Sequence, residues 1–210
     1  MNVGIIGSGN MGASMGKVWA AKGHKVLFSF SKDQEKLKAV AADAGPNART
    51  GTPAEAVAFG ELILFSVPWA AVSSALKAAG AFKGKTLFSC VNCLKPDFSG
   101  LEVGTNTSAA EEIAKQAPDA TVVEALPPMA QILAADSRRL AGQQISTFYC
   151  GNDVTAKAVV AALLSDLDLE PVDAGPLTSA RFIEPAGMLN VQLAYGMGLG
   201  PNLAMKLLRG

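Results

Sequence analysis

The sequence has no excess of charge of one sign. Its 210 residues include 18 basic and 18 acidic side chains, so the formal net charge at pH 7 is zero. Proteins that bind nucleic acid or an anionic membrane usually show a surplus of basic side chains. We therefore expect neither partner, and a small neutral or anionic molecule is the favoured ligand.

Long apolar runs are also missing. No run reaches the roughly 18 residues that cross a bilayer, and the amino terminus passes directly into a strand pattern instead of a basic segment with a cleavage site. The three cysteines are an odd number in a chain too long to need disulfides, which is typical of a reducing compartment. We expect a soluble cytoplasmic protein without a membrane partner.

Metal-ligating side chains are scarce. One histidine and three cysteines do not supply four ligands at the spacing of a zinc site, so we expect no metal. The histidine, His24, falls in the turn between the first predicted helix and the second predicted strand, and we interpret it as structural.

What the chain does contain is a regular alternation of short apolar runs with segments of helical spacing. Strands are predicted at residues 1–6, 25–30, 62–67, 86–91, 121–126, 145–150 and 169–173. Helices are predicted at 13–21, 32–44, 69–79 and 154–164, with a further helix that starts after residue 108. Such alternation predicts an α/β fold, a Rossmann-type doubly wound parallel sheet.

The last part of the chain follows a different pattern. We predict a dinucleotide-binding domain over residues 1–176 and a helical segment over 177–210. About 30 residues are too few for an independent domain, so this segment should pack on the sheet or on a second copy of the chain in a homodimer.

A glycine-rich turn follows the first predicted strand and opens the first helix. It consists of Gly7, Ser8, Gly9, Asn10, Met11 and Gly12. In this context Gly7 permits the tight turn, Gly9 lets a pyrophosphate approach the backbone, and Gly12 lets the helix pack closely on the strand. Ser8 and Asn10 are candidate hydrogen-bond donors to the phosphates. The turn predicts a dinucleotide cofactor.

The end of the second strand distinguishes NADP from NAD. A carboxylate there would hold the ribose hydroxyls of NAD and repel a 2′-phosphate, but the position reads Phe30-Ser31-Lys32. Ser31, Lys32 and Lys36 offer a hydroxyl and two cations for a phosphate, so we predict NADP. The alternative is that Ser31 only caps the next helix and Lys32 is a solvated lysine.

The whole chain resembles the NADPH-dependent deazaflavin (coenzyme F-420) oxidoreductase family. Besides the glycine turn, the resemblance rests on Gly23-His24, Ser31-Lys32, Val67-Pro68-Trp69, Ser108 to Glu111, Cys150 to Asp153, Asp173 to Leu177, Ala180-Arg181 with Glu184, and Gly196 to Gly198. It implies that Ser31, Lys32 and Lys36 hold the 2′-phosphate. It also implies that Val67, Pro68 and Trp69 flank the cofactor and that Asn92, Ala125 and Leu126 lie near the nicotinamide.

One departure from the family concerns the acceptor. Several members have polar residues after the sixth strand, whereas this chain reads Leu126-Pro127-Pro128-Met129. The resemblance implies an NADP-dependent oxidoreductase whose small-molecule acceptor is a deazaflavin (coenzyme F-420) or a flavin. A small imine or β-hydroxyacid reductase and a non-catalytic NADPH-binding sensor stay open as alternatives.

No catalytic acid or base stands out in the sequence. Hydride transfer between two cofactors places both reactive atoms outside the protein, so none is needed. Cys90 and Cys93 have redox-motif spacing but end a strand instead of opening a helix, which favours thiols without a redox function. Arg181 and Glu184 are three residues apart on the last helix and are expected to pair with each other.

Overall fold

The short apolar runs form the strands of one eight-stranded sheet in the computed structural model, which describes residues 1–210. Its strands are β1 (Asn2–Ile6), β2 (Lys25–Ser29), β3 (Ala48–Thr50), β4 (Leu62–Phe65), β5 (Thr86–Ser89), β6 (Thr121–Ala125), β9 (Ser146–Gly151) and β10 (Glu170–Asp173). A separate hairpin consists of β7 (Arg139–Leu140) and β8 (Gln143–Gln144). All four residues of β4 are buried, as expected for a central strand with helices on both faces.

Eight α-helices cover the sheet and surround its edge. They are α1 (Asn10–Ala21), α2 (Gln34–Asp43), α3 (Pro53–Phe59), α4 (Val72–Ala79), α5 (Ala109–Gln116), α6 (Ala130–Ala134), α7 (Val154–Asp166) and α8 (Ala180–Val191). A 3-10 turn at Trp69–Ala71 leads into α4, and another at Leu177–Ser179 leads into α8. None of these helices combines the length and the apolar character needed to cross a membrane.

The strand order is β10-β9-β6-β5-β4-β1-β2-β3. Strands β1 to β6 are parallel and have the order of a dinucleotide-binding fold, which confirms the predicted Rossmann-type sheet. Strand β9 departs from the parallel arrangement, because it runs antiparallel to β6. The chain between them forms α6 and the hairpin instead of a helix that crosses the sheet, so β9 starts at the edge where β6 ends.

Two apolar layers hold the helices on the sheet. On one face, α1, α2 and α7 pack around Met15, Trp19 and Leu163. The opposite face is covered by α3, α4, α5 and α8, with Phe65 and Ile113 in its centre. The strands are therefore fixed from both sides, and their carboxyl ends provide a rigid edge on which a site can be built.

The end of the chain differs from the predicted helical segment. Helix α8 is followed by a π-helical turn at Gln192–Gly196, and residues 201–210 have no regular secondary structure. Gly198 and Gly200 have positive φ angles of 71° and 81°, which prevents the helix from continuing. This segment contacts the start of β9, where the backbone N–H of Ser146 donates to the backbone oxygen of Met205 at 3.1 Å. The division of the chain after residue 176 stays a prediction.

Candidate functional site

Two glycines of the β1–α1 turn are required by the protein itself. Gly7 has a φ of 107°, and a Cβ there would lie 2.5 Å from the backbone oxygen of Ser66. At Gly12 a Cβ would lie 2.1 Å from the backbone oxygen of Gly7. Larger side chains at either position would separate α1 from the sheet.

Gly9 has no such structural requirement. Its φ of −73° and ψ of −170° are accessible to any residue, and a Cβ at this position would meet nothing within 4 Å. Helix α1 also lacks a side-chain cap, whereas α2, α3, α5 and α7 each have one. The amides of its first turn therefore face open space, which is the arrangement that binds a phosphate.

The hydroxyl of Ser8 is already engaged in a hydrogen bond within the protein. It donates a hydrogen bond of 2.9 Å to the backbone oxygen of Ser29 at the end of β2. Ser8 thus ties the turn to the neighbouring strand, and the donors left for a phosphate are backbone amides and Asn10.

An apolar slot of about 380 Å³ opens beside the turn. Of the residues predicted from the sequence, the slot brings together Gly9, Asn10, Met11, Val67, Pro68, Asn92 and Leu126. No aspartate, glutamate, lysine, arginine or histidine is among the residues that line it. The slot can therefore enclose a flat, largely apolar group, but it offers no acidic or basic side chain for proton transfer.

Further walls of the slot come from parts of the chain that the sequence did not connect with the site. They include Ser146, Phe148, Ile183, Gly187, Asn190 and Met205. The residues of β9 reach the slot because this strand starts at the carboxyl edge of β6. At Gly187 a Cβ would lie 2.7 Å from Leu126 Cδ1 and 2.8 Å from Asn92 Nδ2, so this glycine lets α8 approach the slot closely. The one sequence signal for this close approach is a glycine within a predicted helical segment.

Asn92 lines the slot and has one polar atom without a partner. Its Nδ2 donates a hydrogen bond of 3.1 Å to the backbone oxygen of Glu184. Its Oδ1 is buried and has no hydrogen-bond partner in the protein. Since a buried acceptor without a partner is costly, a ligand with an N–H group is the expected partner.

A second, cationic cavity of about 430 Å³ lies on the other side of the turn, between α1, α2 and α6. Its lining includes Lys17, Lys36 and Arg138 and no acidic residue. Gly9 and Asn10 line both this cavity and the apolar slot. The two spaces therefore meet at the glycine turn.

Six predicted site residues line neither space, namely Gly7, Gly12, Ser31, Lys32, Trp69 and Ala125. Ser31 forms a local hydrogen bond of 2.8 Å to the backbone oxygen of Asp33, and Lys32 is exposed. Asp33, not Ser31, caps α2 by accepting from the backbone N–H of Lys36 at 3.0 Å. Trp69 is half-buried in the turn before α4, and Ala125 is fully buried in the core beneath the slot.

Arg181 and Glu184 do not pair with each other, contrary to the expectation from their spacing. Arg181 instead donates two hydrogen bonds, of 2.8 and 2.6 Å, to the carboxylate of Glu111 on α5. This contact lowers the pKa of Glu111. The two side chains of α8 point to different parts of α5, because the helix packs on the amino-terminal end of α5.

Glu184 is almost completely buried and accepts the backbone N–H groups of Ala109 and Ala110 at 2.8 and 3.0 Å. Burial raises the pKa of its carboxyl, although the two amides oppose that shift. Glu184 thus satisfies the first turn of α5 from another helix, and its own backbone holds Asn92 beside the slot.

The thiols near the slot are poor nucleophiles. Burial raises the pKa of Cys90, with the charge of Glu124 as a further cause, and raises the pKa of Cys93 to about 11. Cys93 Sγ also donates to the backbone oxygen of Val103 at 3.2 Å. A thiolate is the reactive form of cysteine, so neither group is activated for redox chemistry or covalent catalysis.

Residues 2–93 match the protein family described as NADP oxidoreductase, coenzyme F-420-dependent. The chain is 30% identical to a candidate F-420-dependent NADP reductase from Arthrobacter sp. FB24, with all of both chains covered and a TM-score of 0.87. A hypothetical protein from Sinorhizobium meliloti is 23% identical, with 100% of this chain and 96% of the other covered and a TM-score of 0.78.

A more distant similarity extends to longer enzymes. The reductive aminase from Aspergillus terreus, solved in complex with NADPH and ethyl levulinate, is 20% identical with a TM-score of 0.65. The match covers 94% of this chain but 62% of the aminase. At this identity the similarity shows a shared fold.

Proposed function

Because the chain belongs to the coenzyme F-420-dependent NADP oxidoreductase family and is an NADP-dependent oxidoreductase, we propose that it transfers a hydride between NADP(H) and a deazaflavin, with a flavin as the second candidate acceptor. The observation that supports this acceptor class is the apolar slot, which adjoins the glycine turn and has no ionic side chain in its walls. A small-molecule acceptor stacked in this slot would meet the cofactor directly.

Side chains and backbone amides of the protein would form a continuous binding surface for the dinucleotide. The open amides at the start of α1 and the missing Cβ of Gly9 fit a pyrophosphate. Val67, Pro68 and Trp69 would flank the cofactor after β4. Lys36, which lines the cationic cavity, would face its 2′-phosphate, with Ser31 and Lys32 outside that cavity. Gly7, Ser8 and Gly12 shape the turn, while Met11 forms part of the slot wall.

Asn92 and Leu126 would position the nicotinamide end. The free Oδ1 of Asn92 can accept a hydrogen bond from a carboxamide N–H. Leu126 lines the slot and Ala125 lies beneath it, so both restrict how deeply a ring enters. When bound, NADPH supplies the hydride, and the protein's task is to hold the two reacting rings about 3 to 3.5 Å apart with water excluded.

The composition of the slot favours a ring acceptor over an imine or a ketone. Reduction of an imine or a carbonyl group needs a proton donor beside the new N–H or O–H bond. The slot has no carboxyl, lysine or histidine side chain for this step, and burial raises the pKa of the Cys90 thiol, which makes it a poor acid. A deazaflavin can take the one proton that accompanies the hydride from water at the ring edge, outside the slot.

A panel of acceptors tests this proposal. The purified protein with bound NADPH is mixed in a stopped-flow instrument with coenzyme F-420, FMN, FAD or a cyclic imine, and NADPH absorbance is followed. We expect oxidation by the deazaflavin to be at least about tenfold faster than by any other acceptor. Fast turnover of the imine would favour the imine reductase, and no oxidation by any acceptor would favour an NADPH-binding sensor.

A variant separates slot chemistry from cofactor binding. Gly187→Leu places a large side chain against Leu126 and Asn92, so it should abolish hydride transfer. NADPH should still bind through the glycine turn and the cationic cavity, with the loss of affinity limited to the contacts of its nicotinamide end. Unchanged transfer in this variant would place the acceptor elsewhere.

We also propose that the chain forms a homodimer through α8 and the turn that follows it. Large apolar side chains are exposed there, with 77% of Phe182, 51% of Leu189 and 67% of Leu199 accessible. Surfaces of this kind are commonly covered by another chain. A monomeric mass by light scattering at micromolar concentration would contradict the proposal. If the protein is a dimer, Phe182→Glu should dissociate it.

A further inference from the structure

The cationic cavity contains two cations that no carboxylate neutralises. Lys17 pairs with Asp43 on α2. Lys36 and Arg138 line the same cavity, and neither has an acidic partner within salt-bridge distance. Uncompensated positive charge in a concave site attracts an anion, since the low-dielectric walls concentrate the field.

Arg138 is fixed in position, while the two terminal nitrogens of its guanidinium are free to bind a ligand. Its Nε donates a hydrogen bond of 3.0 Å to the backbone oxygen of Leu133, and the side chain is half-buried. The two terminal nitrogens of its guanidinium form no hydrogen bond within the protein. The adjacent Arg139 is different, because it makes two hydrogen bonds, of 3.0 and 2.9 Å, to Asp168. Arg138 thus presents a pre-positioned pair of donors, the geometry suited to a phosphate.

The position of the cavity identifies which phosphate can reach it. Gly9 and Asn10 line both the cavity and the apolar slot. A dinucleotide whose pyrophosphate lies at Gly9 and whose nicotinamide enters the slot must extend its adenosine half to the other side of the turn. Lys36 on the first turn of α2 and Arg138 after α6 lie on that side.

We infer that Arg138, together with Lys36, binds the 2′-phosphate of NADP and determines the preference for NADP over NAD. This inference rests on the proposed cofactor site and adds a residue that lies more than 100 positions from the second strand. Lys32 has a smaller effect, because it is exposed and lines neither space. Ser31 already donates its hydroxyl to the backbone of Asp33.

Equilibrium titrations of the whole protein with NADPH and with NADH test the inference without any acceptor. The variants are Arg138→Gln and Lys32→Gln, with Arg139→Gln as the matched control. We expect Arg138→Gln to weaken NADPH binding at least about tenfold and NADH binding less than about twofold. Arg139→Gln should alter neither, and Arg138→Lys should recover part of the loss, since a lysine keeps the charge without the two fixed donors.

Two outcomes would overturn the inference. An equal loss for NADPH and NADH would mean that Arg138 supports the turn or the pyrophosphate, and no loss for either would mean that it does not touch the cofactor. Adenosine 2′,5′-bisphosphate serves as a second probe, whose affinity should fall with Arg138→Gln as that of NADPH does. Because no acceptor is present, a failed deazaflavin assay would leave these readouts unaffected.

Discussion

Asn92 Nδ2 donates a 3.1 Å hydrogen bond to the backbone oxygen of Glu184, which joins the loop after β5 to α8. The carboxylate of the same glutamate binds two amides at the start of α5. A wall of the slot is therefore fixed to two helices through one buried residue. This arrangement connects the stability of α5 with the position of a side chain that faces the proposed nicotinamide site.

Glu184→Ala should destabilise the protein more than Arg181→Ala. Removal of the carboxylate leaves the amides of Ala109 and Ala110 buried without acceptors, at a cost of about 2 to 4 kcal/mol. Arg181 is partly exposed in its contact with Glu111, so its loss should lower stability less. Urea denaturation of both variants measures the difference, and equal losses would contradict it.

Gly9→Ser should separate folding from cofactor binding. A serine suits the extended backbone of Gly9, and its hydroxyl would cap α1, so the free energy of unfolding should stay the same or rise by up to about 1 kcal/mol. The same hydroxyl would occupy the amides proposed for the pyrophosphate, so NADPH and NADH should both bind at least about tenfold more weakly. Calorimetry and thermal denaturation measure the two quantities.

Gly12→Ala is the contrasting variant for this test. Its Cβ would lie 2.1 Å from the backbone oxygen of Gly7, so the protein itself should be destabilised. If Gly9→Ser lowered the free energy of unfolding as much as Gly12→Ala does, the interpretation of Gly9 as part of an open phosphate-binding site would be wrong.

Gly187→Ala should slow hydride transfer with little effect on the affinity for NADPH. The added methyl group would push Leu126 and Asn92 into the slot by a few tenths of an ångström or more, because both lie under 3.0 Å from the new Cβ. Misplacement of this size alters reaction geometry strongly, and we expect a fall of about tenfold to a hundredfold in the single-turnover rate. Gly100→Ala is the control, since a Cβ there meets nothing within 4 Å.

Glu124→Gln should remove part of the pH dependence of stability. Glu124 is fully buried on β6, and neither carboxylate oxygen has a hydrogen-bond partner. Burial, followed by the charge of Glu184, raises its pKa well above the usual 4.5. The stabilising effect of the neutral acid is complete below pH 4.5 and is lost as the pH rises through the higher pKa of the folded state.

The glutamine variant should therefore be more stable than the original protein at pH 8, with a smaller difference near pH 5. Thermal denaturation across this range provides the measurement. Glu184 contributes a pH dependence of the same sign in both proteins, since its pKa is also raised, so a residual slope is expected. Parallel profiles for the two proteins would show that Glu124 is not the titrating group.

The first half of the fold could be predicted from local patterns. A glycine turn between an apolar run and a helical segment specifies β1 and α1, because backbone angles and close packing at Gly7 and Gly12 permit little else. Strand β3 was missed, since it has three residues with two of them exposed. Helix α3 was also missed, although Thr52 and Glu55 form a capping box that predicts its start.

The remaining features depend on contacts between distant parts of the chain. Alternating periodicity is the same for parallel and antiparallel strands, so it could not show that β9 reverses. Spacing on α8 suggested a pair between Arg181 and Glu184, but the amides and carboxylate of α5 are better partners for each. Arg138 reaches the cationic cavity only because α6 packs on α1.

The two-residue boundary shared by the slot and the cationic cavity has a thermodynamic consequence. The dinucleotide would bind as a bivalent ligand whose two halves meet at Gly9 and Asn10. Once one half occupies its space, the other half is held at a high effective concentration beside the second space. Nicotinamide mononucleotide and adenosine 2′,5′-bisphosphate added together, but not covalently linked, should then bind far more weakly than the intact dinucleotide.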